Sequence, residues 1–347
     1  MKIANPVISI VVGLVAGGIA IIFTHTNPLA VFKSILIGAF GNTYNFSETL
    51  VAAIPLILIS AGLLLAFKMK FWNIGAYGQY IMGAMFSSFF ALHASQNTSS
   101  FMLLAVMCLA GLIGGALWAI ISALLKLFWE VNEVVSTLLL NYIALYILYY
   151  FMHGPWRDPS SHGFPLSKPF AANAQLPILL NHTRIHLGLV FGIIASLVIY
   201  VLIKKTRFGY ENKVIGENPV AAKYAGINIF RNTLIAAAIS GGLAGLAGMA
   251  QVSGIIHMIQ LEINAEYGYT AIIVSWLAAL NPIASFFVSI ILGGLEAGGY
   301  QIQMTMNVPF GIVGVIESSI LFALLGGELF KTHKLVLRRR ELPHQTQ

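Results

Sequence analysis

Two glutamates inside long apolar stretches are the first candidates for chemistry. Glu296 and Glu317 each lie among residues that are mostly apolar or small. A carboxylate at bilayer depth is energetically costly, so such a residue marks a substrate or ion pathway by default. The alternative for both is a structural carboxylate at the membrane interface, near the end of a span.

A second set of polar residues recurs at helical spacing. Glu133, Thr137 and Asn141 follow one another at i, i+4 and i+8, so they share one face of a helix. That face should meet protein or a water-filled route rather than lipid. Asn141 offers a donor and an acceptor to a solute, although an interhelical hydrogen bond would use the same groups. Tyr142 adjoins this stripe, where its ring either stacks on a planar solute or packs in the core or in an interfacial aromatic belt.

A third candidate is the polar, glycine-interrupted stretch WNIGAYGQ at 72–79, which lies between two apolar stretches. Asn73 and Gln79 are its carboxamide side chains. If the helix is broken at membrane depth, its backbone groups and these two amides would line the solute path. The alternative is an ordinary cytoplasmic turn.

Other constellations that carry chemistry are missing from the sequence. His182 and His186 have a metal-ligand spacing, but no HExxH glutamate accompanies them, so no metal is expected. Asp158 is the only aspartate, which excludes paired-aspartate chemistry. The chain has no GxxxxGK[ST] phosphate loop and no Gly-Lys pair, so ATP must be hydrolysed on another chain. We therefore predict neither an enzyme nor a cofactor on this chain.

The elements that must position these residues are membrane helices. Of the 347 residues, 58% are hydrophobic and only 9% are charged, and the mean hydropathy is +0.84. Soluble domains contain about a quarter charged residues, so a soluble protein is excluded. We predict an all-α polytopic membrane protein with ten transmembrane helices. They lie near 7–23, 48–67, 79–94, 101–129, 134–152, 187–203, 233–256, 268–280, 283–300 and 309–330.

The positive charges predict the orientation. With the N-terminus inside and ten crossings, fifteen Lys and Arg residues lie in cytoplasmic segments and four in external ones. Both termini are therefore predicted to be cytoplasmic, and the net charge of +7 reflects topology rather than nucleic-acid binding. We expect one transmembrane domain over 1–335, with an external loop at 153–186 and a cytoplasmic loop at 204–232. A basic tail follows over 336–347 and contacts membrane lipid through Arg338, Arg339 and Arg340.

The cytoplasmic loop contains a short helix whose start and stop are both encoded. Asn218 is a good N-cap, and Pro219 suits the first helical position. Gly226 is placed to end the helix in a left-handed cap. A helix of about two turns is marginal in water, so it needs to pack on the membrane core or on a cytosolic partner. The alternative is a surface loop that happens to contain a turn of helix.

Small residues predict where helices pack closely. Gly241 with Gly245, and Ala244 with Gly248, form small-xxx-small pairs within one apolar span. The run lacks the G-x-G-x-x-G spacing and the preceding strand of a nucleotide site. We therefore assign Gly241, Gly245 and Gly248 to helix packing.

These motifs together resemble one protein family. The chain is similar to the permease subunits of bacterial ABC importers of the branched-chain amino acid, ribose and nucleoside type. The similarity rests on GENPVAAKYAGINIFRN, ISGGLAGLAGMAQVSG, NEVVSTLLLNYIA at 132–144, WNIGAYGQ at 72–79 and NPI at 281–283, and it covers residues 48–325. NEVVSTLLLNYIA followed by HGPWRDP is most similar to the nucleoside and simple-sugar permeases. The run GYTAIIVSWLAAL at 268–280 departs from that subgroup because it lacks an aspartate and introduces Trp276.

The resemblance implies a function and a set of partners. It implies a coupling helix that sits in a cleft of an ATP-binding subunit and is formed by Glu217, Asn218, Pro219, Ala221, Ala222, Tyr224 and Gly226. It implies an importer permease in the bacterial inner membrane, with ATP-binding cassette ATPase subunits that hold ATP and Mg²⁺, a second permease chain and an extracytoplasmic solute-binding protein. The expected solute is a nucleoside, and next a simple sugar. The residues alone also allow a secondary transporter driven by H⁺ or Na⁺, with Glu296 and Glu317 as coupling carboxylates.

Overall fold

The computed structural model describes residues 4–261, 263 and 266–332. Within these residues the chain forms thirteen α-helices, and the predicted all-α class is confirmed. In chain order the helices are α1 (Ala4–Ile22), α2 (Pro28–Phe40), α3 (Thr43–Lys68), α4 (Ala76–His93), α5 (Ser100–Trp129), α6 (Glu133–His153), α7 (Gly188–Lys205), α8 (Arg207–Glu217), α9 (Pro219–Tyr224), α10 (Ile229–Gln251), α11 (Glu266–Leu277), α12 (Pro282–Met306) and α13 (Gly311–Thr332). The predicted basic tail and its three arginines lie outside the described residues.

The hydropathy of these helices fits a membrane bundle. Within the described part of the chain, six are long and apolar enough to cross a membrane, namely α3, α5, α6, α7, α12 and α10 together with the π-helix Val252–Ile256. Shorter apolar helices are Val7–Ile22, Pro28–Phe40, Tyr267–Leu277 and Gly311–Leu324. Each of the ten predicted stretches coincides with one helix. The number of crossings and the cytoplasmic side of the termini stay predictions.

Two helices lie where the sequence analysis predicted none. Helix α2 is capped by Asn27, whose side chain accepts from Leu29 N at 2.9 Å. Its 13 residues extend about 20 Å, which is shorter than the ~30 Å hydrocarbon core, so a search for full spans does not detect it. Helix α8 is capped by Thr206, which accepts from Gly209 N at 3.2 Å. The predicted cytoplasmic loop is therefore largely helical.

Helix α3 connects the two ends of the bundle. Near its start Glu48 forms an ion pair with Arg184, which lies in the segment before α7. At its end the Lys68 carbonyl lies so close to Gly216 of α8 that a Cβ there would overlap it. We call the end that carries residues 154–187 the outer end, and the end that carries α8 and α9 the inner end. The 26 residues of α3 extend about 39 Å between them.

Helix α10 packs against α5 and α4 with its backbone in direct contact. A Cβ added to Gly245 would overlap the carbonyl oxygen of Gly111 on α5, and Gly241 faces α5 in the same way. A Cβ on Gly248 would overlap the carbonyl oxygen of Tyr80 on α4. Such close approach of helix backbones is possible only where small residues face each other.

The outer-end segment before α7 is held against the residues that follow α10. Leu176 N donates to Ser253 O at 3.0 Å. The His186 ring packs against the π-helix, and its Nδ1 accepts from Gly188 N at 3.1 Å. Burial, with a smaller contribution from nearby His257, lowers the pKa of His186 to about 4. The ring is therefore neutral at neutral pH, as its acceptor role requires.

We predict that acidification weakens this outer-end packing. The folded pKa of His186, about 4, lies below its unfolded value, which is about 6.5. Between these two pH values the unfolded chain therefore binds more protons than the folded chain. The stability that the neutral His186 contributes is fully present above the unfolded pKa, and about 3 kcal/mol of it is lost as the pH drops through the folded pKa. The thermal midpoint of the purified protein should fall between about pH 7 and about pH 5, and it should fall less in His186→Gln. An equal fall in both proteins would contradict the prediction.

A second prediction concerns the contact between α10 and α5. Gly245→Ala places a methyl group against a backbone carbonyl, which cannot move aside as a side chain can. We expect a loss of about 1–3 kcal/mol of stability, the usual cost of overpacking, seen as a lower thermal midpoint of the purified protein. Gly314→Ala is the control, because a Cβ at Gly314 meets nothing within 4 Å. If the two variants had the same midpoint, this contact would not limit stability.

Candidate functional site

The predicted cytoplasmic helix is present as α9. The Asn218 side chain accepts hydrogen bonds from Val220 N at 3.0 Å and from Ala221 N at 3.1 Å. Pro219 occupies the first helical position. Gly226 follows the helix with a φ of +72°, the left-handed conformation that a glycine adopts without strain. The predicted start and stop of this helix are therefore confirmed.

One side of α9 is buried and the rest is exposed at the inner end. Ala222 is fully buried and packs in a cluster that includes Met69 and Ile215. Tyr224 is 91% exposed and Val220 is 63% exposed. One small residue therefore fixes α9 to the bundle, while an aromatic and an aliphatic side chain face outward.

Side-chain contacts of α8 hold α8 and the adjoining α9 against α10. Asn232 Nδ2 on α10 donates to Glu211 Oε2 at 2.8 Å, and Arg207 Nε donates to Glu211 Oε1 at 2.7 Å. These hydrogen bonds, that from Asn232 first, lower the pKa of Glu211. Glu217, the last residue of α8, is exposed, and its Oε1 lies 3.7 Å from Lys213 Nζ. The carboxylate of Glu211 thus ties the α8–α9 unit to the inner end of α10.

The glycine-interrupted stretch begins with an unwound link between α3 and α4. Asn73 Nδ2 donates to Gln79 Oε1 at 2.9 Å, and Gln79 Nε2 donates back to Asn73 Oδ1 at 2.8 Å. Asn73 Nδ2 also donates to Ser240 Oγ on α10 at 3.0 Å. Both amide side chains are buried. Their donors and acceptors therefore serve contacts within the protein.

Two residues of α6 bond the backbone of this link and of the first turn of α4. Thr137 Oγ1 accepts from Ile74 N at 3.2 Å. Asn141 Oδ1 accepts from Gly78 N at 2.8 Å, and Asn141 Nδ2 donates to Ile74 O at 3.1 Å and to Tyr269 OH at 3.3 Å. The four polar residues predicted from these two stretches therefore lie together, as an interhelical hydrogen-bond network.

The other two residues predicted on α6 lie outside this network. Glu133 Oε1 is 2.6 Å from Lys126 Nζ of α5, so this ion pair joins α5 to α6. Tyr142 is 54% exposed, whereas the neighbouring Asn141 is buried. The three residues of the predicted stripe therefore have different partners, because Glu133 pairs with Lys126 whereas Thr137 and Asn141 bond backbone groups near the start of α4. Tyr142 faces away from the stripe.

The two glutamates predicted to lie at membrane depth are buried on different helices. Glu296 on α12 is 5% exposed, and Glu317 on α13 is 6% exposed. Thr270 Oγ1 donates to Glu317 Oε2 at 2.6 Å, which connects α11 to α13. Both carboxylates therefore lie in the protein interior rather than on its lipid-facing surface.

Trp276, the bulky residue of the 268–280 run, has aromatic partners at the inner end. Its ring stacks on Trp72 with the centroids 5.4 Å apart and the planes 12° apart. The ring centroid of Phe67 lies 5.8 Å from that of Trp72 and 6.1 Å from that of Trp276. The three rings join α3, the unwound link and α11.

A cavity of about 480 Å³ lies at the outer end, and we call it the outer cavity. The cavity is lined by Arg184 and by parts of several helices, namely the start of α3, the end of α10, the π-helix, α11 and the outer half of α12. Its volume falls within the range of small-molecule sites. Its polar lining includes Tyr44, Tyr267, Tyr300, Gln251, Gln260 and Gln301.

The outer cavity was not predicted from the sequence. Its lining residues come from elements that are far apart in sequence, so no local spacing reveals them. One signal was available. Ala297, Gln301 and Met304 follow at i, i+4 and i+7 on one face of α12 and all line the cavity, which places a carboxamide on an apolar helix. The predicted Glu296 precedes the first of these residues.

Comparisons with known proteins agree with this architecture. Residues 45–325 match the family described as branched-chain amino acid transport system / permease component. A glucose ABC transporter permease protein of Haloferax volcanii is 29% identical over 95% of this chain and 89% of the relative. A nucleoside ABC transporter permease protein of Lactococcus lactis is 28% identical over 92% and 90%. A guanosine ABC transporter permease protein of Bacillus subtilis is 26% identical over 91% of each.

The long apolar helices and their close backbone packing define a multi-pass α-helical membrane protein. The family match covers most of the chain, so the resemblance read from its motifs is confirmed. The chain belongs to the branched-chain amino acid transport system permease family, and it is a multi-pass protein of the bacterial inner membrane. Its ABC permease relatives are transport components rather than enzymes.

We predict that Asn141 is required for folding. Asn141→Ala would leave the backbone groups Gly78 N–H and Ile74 C=O without these partners, and each unsatisfied buried group costs about 1–3 kcal/mol. The thermal midpoint of the purified protein should fall clearly. Tyr142→Ala is the adjacent control and should change stability by less than about 0.5 kcal/mol. If Asn141→Ala kept its stability but lost solute binding, Asn141 would instead be a substrate contact.

Proposed function

We propose that this chain forms the translocation path of an ABC importer for a small polar solute and that separate ATPase subunits drive it. The observation that carries the proposal is α9, a capped six-residue helix fixed to the bundle at its inner end and exposing Tyr224. Its fixed position and outward side chains suit a docking contact. Family membership supplies the type of partner.

The geometry of α9 supports docking better than it supports a free loop. Six residues do not form a stable helix alone in water, so the caps and the burial of Ala222 hold it in place. A large aromatic side chain that is almost fully exposed is typical of an anchor at a protein interface. Val220 extends the same outward surface. We infer that this surface enters a cleft of the ATPase.

Each residue of the proposed coupling helix then has a structural role. Asn218, Pro219 and Gly226 set the start and the end of the helix, and Ala222 anchors it. Glu217, Ala221 and Tyr224 are exposed and are available to the ATPase. Closure of the ATPases would push on α9 and, through Glu211 and Asn232, on α10.

The remaining partners follow from the same proposal. ATP and Mg²⁺ are held by the ATPase subunits. A second permease chain, the same or related, completes the pore, and both chains are embedded in membrane lipid. An extracytoplasmic binding protein delivers the solute at the outer end. The three relatives are named as permeases for glucose, nucleosides and guanosine. We favour a nucleoside as the solute, and next a simple sugar.

A secondary transporter driven by H⁺ or Na⁺ is the second candidate. The buried carboxylates of Glu296 and Glu317 are the observation that favours it. Uptake into proteoliposomes that contain the permease, its ATPases and the binding protein separates the two functions. Uptake that requires ATP and persists when ion gradients are collapsed supports the importer. Uptake by the permease alone under an ion gradient supports the second candidate.

We predict that Tyr224→Ala abolishes coupling. Loss of this anchor should reduce ATP-driven uptake at least about tenfold, the effect of a hot-spot residue. The thermal midpoint of the purified permease should stay unchanged, because the side chain is 91% exposed. Co-purification of the permease with the ATPase is the direct measurement of docking.

The control is a tyrosine of comparable exposure at the other end of the bundle. Tyr150 on α6 is 69% exposed, and Tyr150→Ala should keep both co-purification and uptake. A bulky residue at Ala221 should act like Tyr224→Ala. The same change at Ala222 is a poorer test, because Ala222 is fully buried and the replacement would disturb the permease itself. Normal co-purification and uptake by Tyr224→Ala would refute the coupling role.

A further inference from the structure

The outer cavity has an unusual balance of charge. Among the described residues that line it, Arg184 and Glu48 are the charged ones. Arg184 Nε donates to Glu48 Oε1 at 3.0 Å, and Arg184 Nη2 donates to Glu48 Oε2. Both carboxylate oxygens are therefore engaged, and the two formal charges cancel at close range. A charged solute would find no unpaired counter-charge among these residues, whereas an uncharged solute needs none.

The carboxamides of the cavity suit the edge of a heterocyclic base. Gln251 ends α10 and Gln301 lies on α12, so two residues with carboxamide side chains line the cavity from separate helices. Each carboxamide carries a donor beside an acceptor. This arrangement matches adjacent acceptor and donor atoms on a nucleobase, and Asn and Gln read such edges in pairs of hydrogen bonds.

The tyrosines of the cavity supply flat apolar surface. Tyr300 stacks on Phe310 with the ring centroids 4.6 Å apart, and Tyr267 packs edge-on against Tyr80 with the centroids 6.4 Å apart. These contacts fix the planes of the two rings before a solute arrives. Stacking of a base on an aromatic side chain is favourable for any base, because every base has a flat apolar face. A simple sugar presents hydroxyl groups and no planar ring.

We propose that the outer cavity is a solute-binding site that takes an uncharged nucleoside, with its base against the tyrosines and its polar edge bonded by Gln251 and Gln301. The inference rests on the proposed function, since it concerns the solute that the permease would carry. A nucleoside monophosphate is excluded as the ligand, because the ion pair leaves no free cation for a phosphate among the described lining residues.

Photolabelling of the purified permease–ATPase complex tests the site directly. The probe is 8-azidoguanosine, activated by light and followed by peptide mapping. We expect labelled peptides from the end of α10 and from the outer half of α12. Excess guanosine should suppress the labelling, whereas glucose and guanosine monophosphate should not.

A matched pair of variants on α12 makes the test specific. Gln301 lines the cavity, whereas Gln303 is exposed and is not among the lining residues. Gln301→Leu should lower the labelling at least about fivefold, as expected for loss of a hydrogen-bonded pair, and Gln303→Leu should leave it unchanged. The thermal midpoint of each variant checks folding, and the peptide map of the unaltered protein stays informative if Gln301→Leu fails to fold.

The outcomes separate this inference from the proposed function. Labelled peptides elsewhere in the chain, or equal suppression by glucose, would overturn the nucleoside site even if uptake requires ATP. Labelling at the expected peptides together with uptake that ignores ATP would instead overturn the proposed importer function and keep the site. Labelling that is equal in Gln301→Leu and Gln303→Leu would remove Gln301 from the site.

Discussion

The contact of the α10 backbone with α4 and α5 is the constraint on which the rest of the structure depends. Lipid tails are as apolar as the helices, so burial of apolar surface does little to hold helices together in a bilayer. Close packing must do so instead, and glycines such as Gly245 allow the backbones themselves to meet. This contact places α10 in the interior of the bundle. Its inner end then meets α8 through Asn232, and its outer end brings Gln251 to the outer cavity.

The second constraint is that buried backbone groups need partners. The link between α3 and α4 is unwound, so its N–H and C=O groups lose their helical partners. Thr137 and Asn141 supply replacements from α6. A polar stripe on a membrane helix is therefore ambiguous in sequence, because the same side chains suit a solute or an unwound backbone. Here the donor and acceptor atoms lie at hydrogen-bonding distance from the link, and the cavity that suits a solute lies elsewhere.

Sequence reasoning succeeded where the signal is local. Long apolar runs predicted ten helices in the right places, and the Asn218-Pro219 start and the Gly226 stop predicted α9 because a cap is a property of a few adjacent residues. It failed for α2, which is too short for a full span, and for α8, whose polar sequence was read as a loop. The outer cavity was out of reach for a different reason. The pairing of Glu48 with Arg184 joins two residues far apart in sequence, and nothing in their local sequences selects one for the other.

The arrangement of α3 and α10 shows how the two ends would be connected in the proposed function. Both helices touch α8 at the inner end, and both line the outer cavity. They meet between these ends, where a Cβ on Gly62 of α3 would lie 2.8 Å from the Ser240 carbonyl oxygen of α10. Because packed helices move as stiff bodies, a push on α8 that changes their angle at this contact also changes their separation at the outer end. In the proposed function the coupling helix would therefore need no separate signalling element, since the two helices that form the cavity wall would also carry the displacement to it.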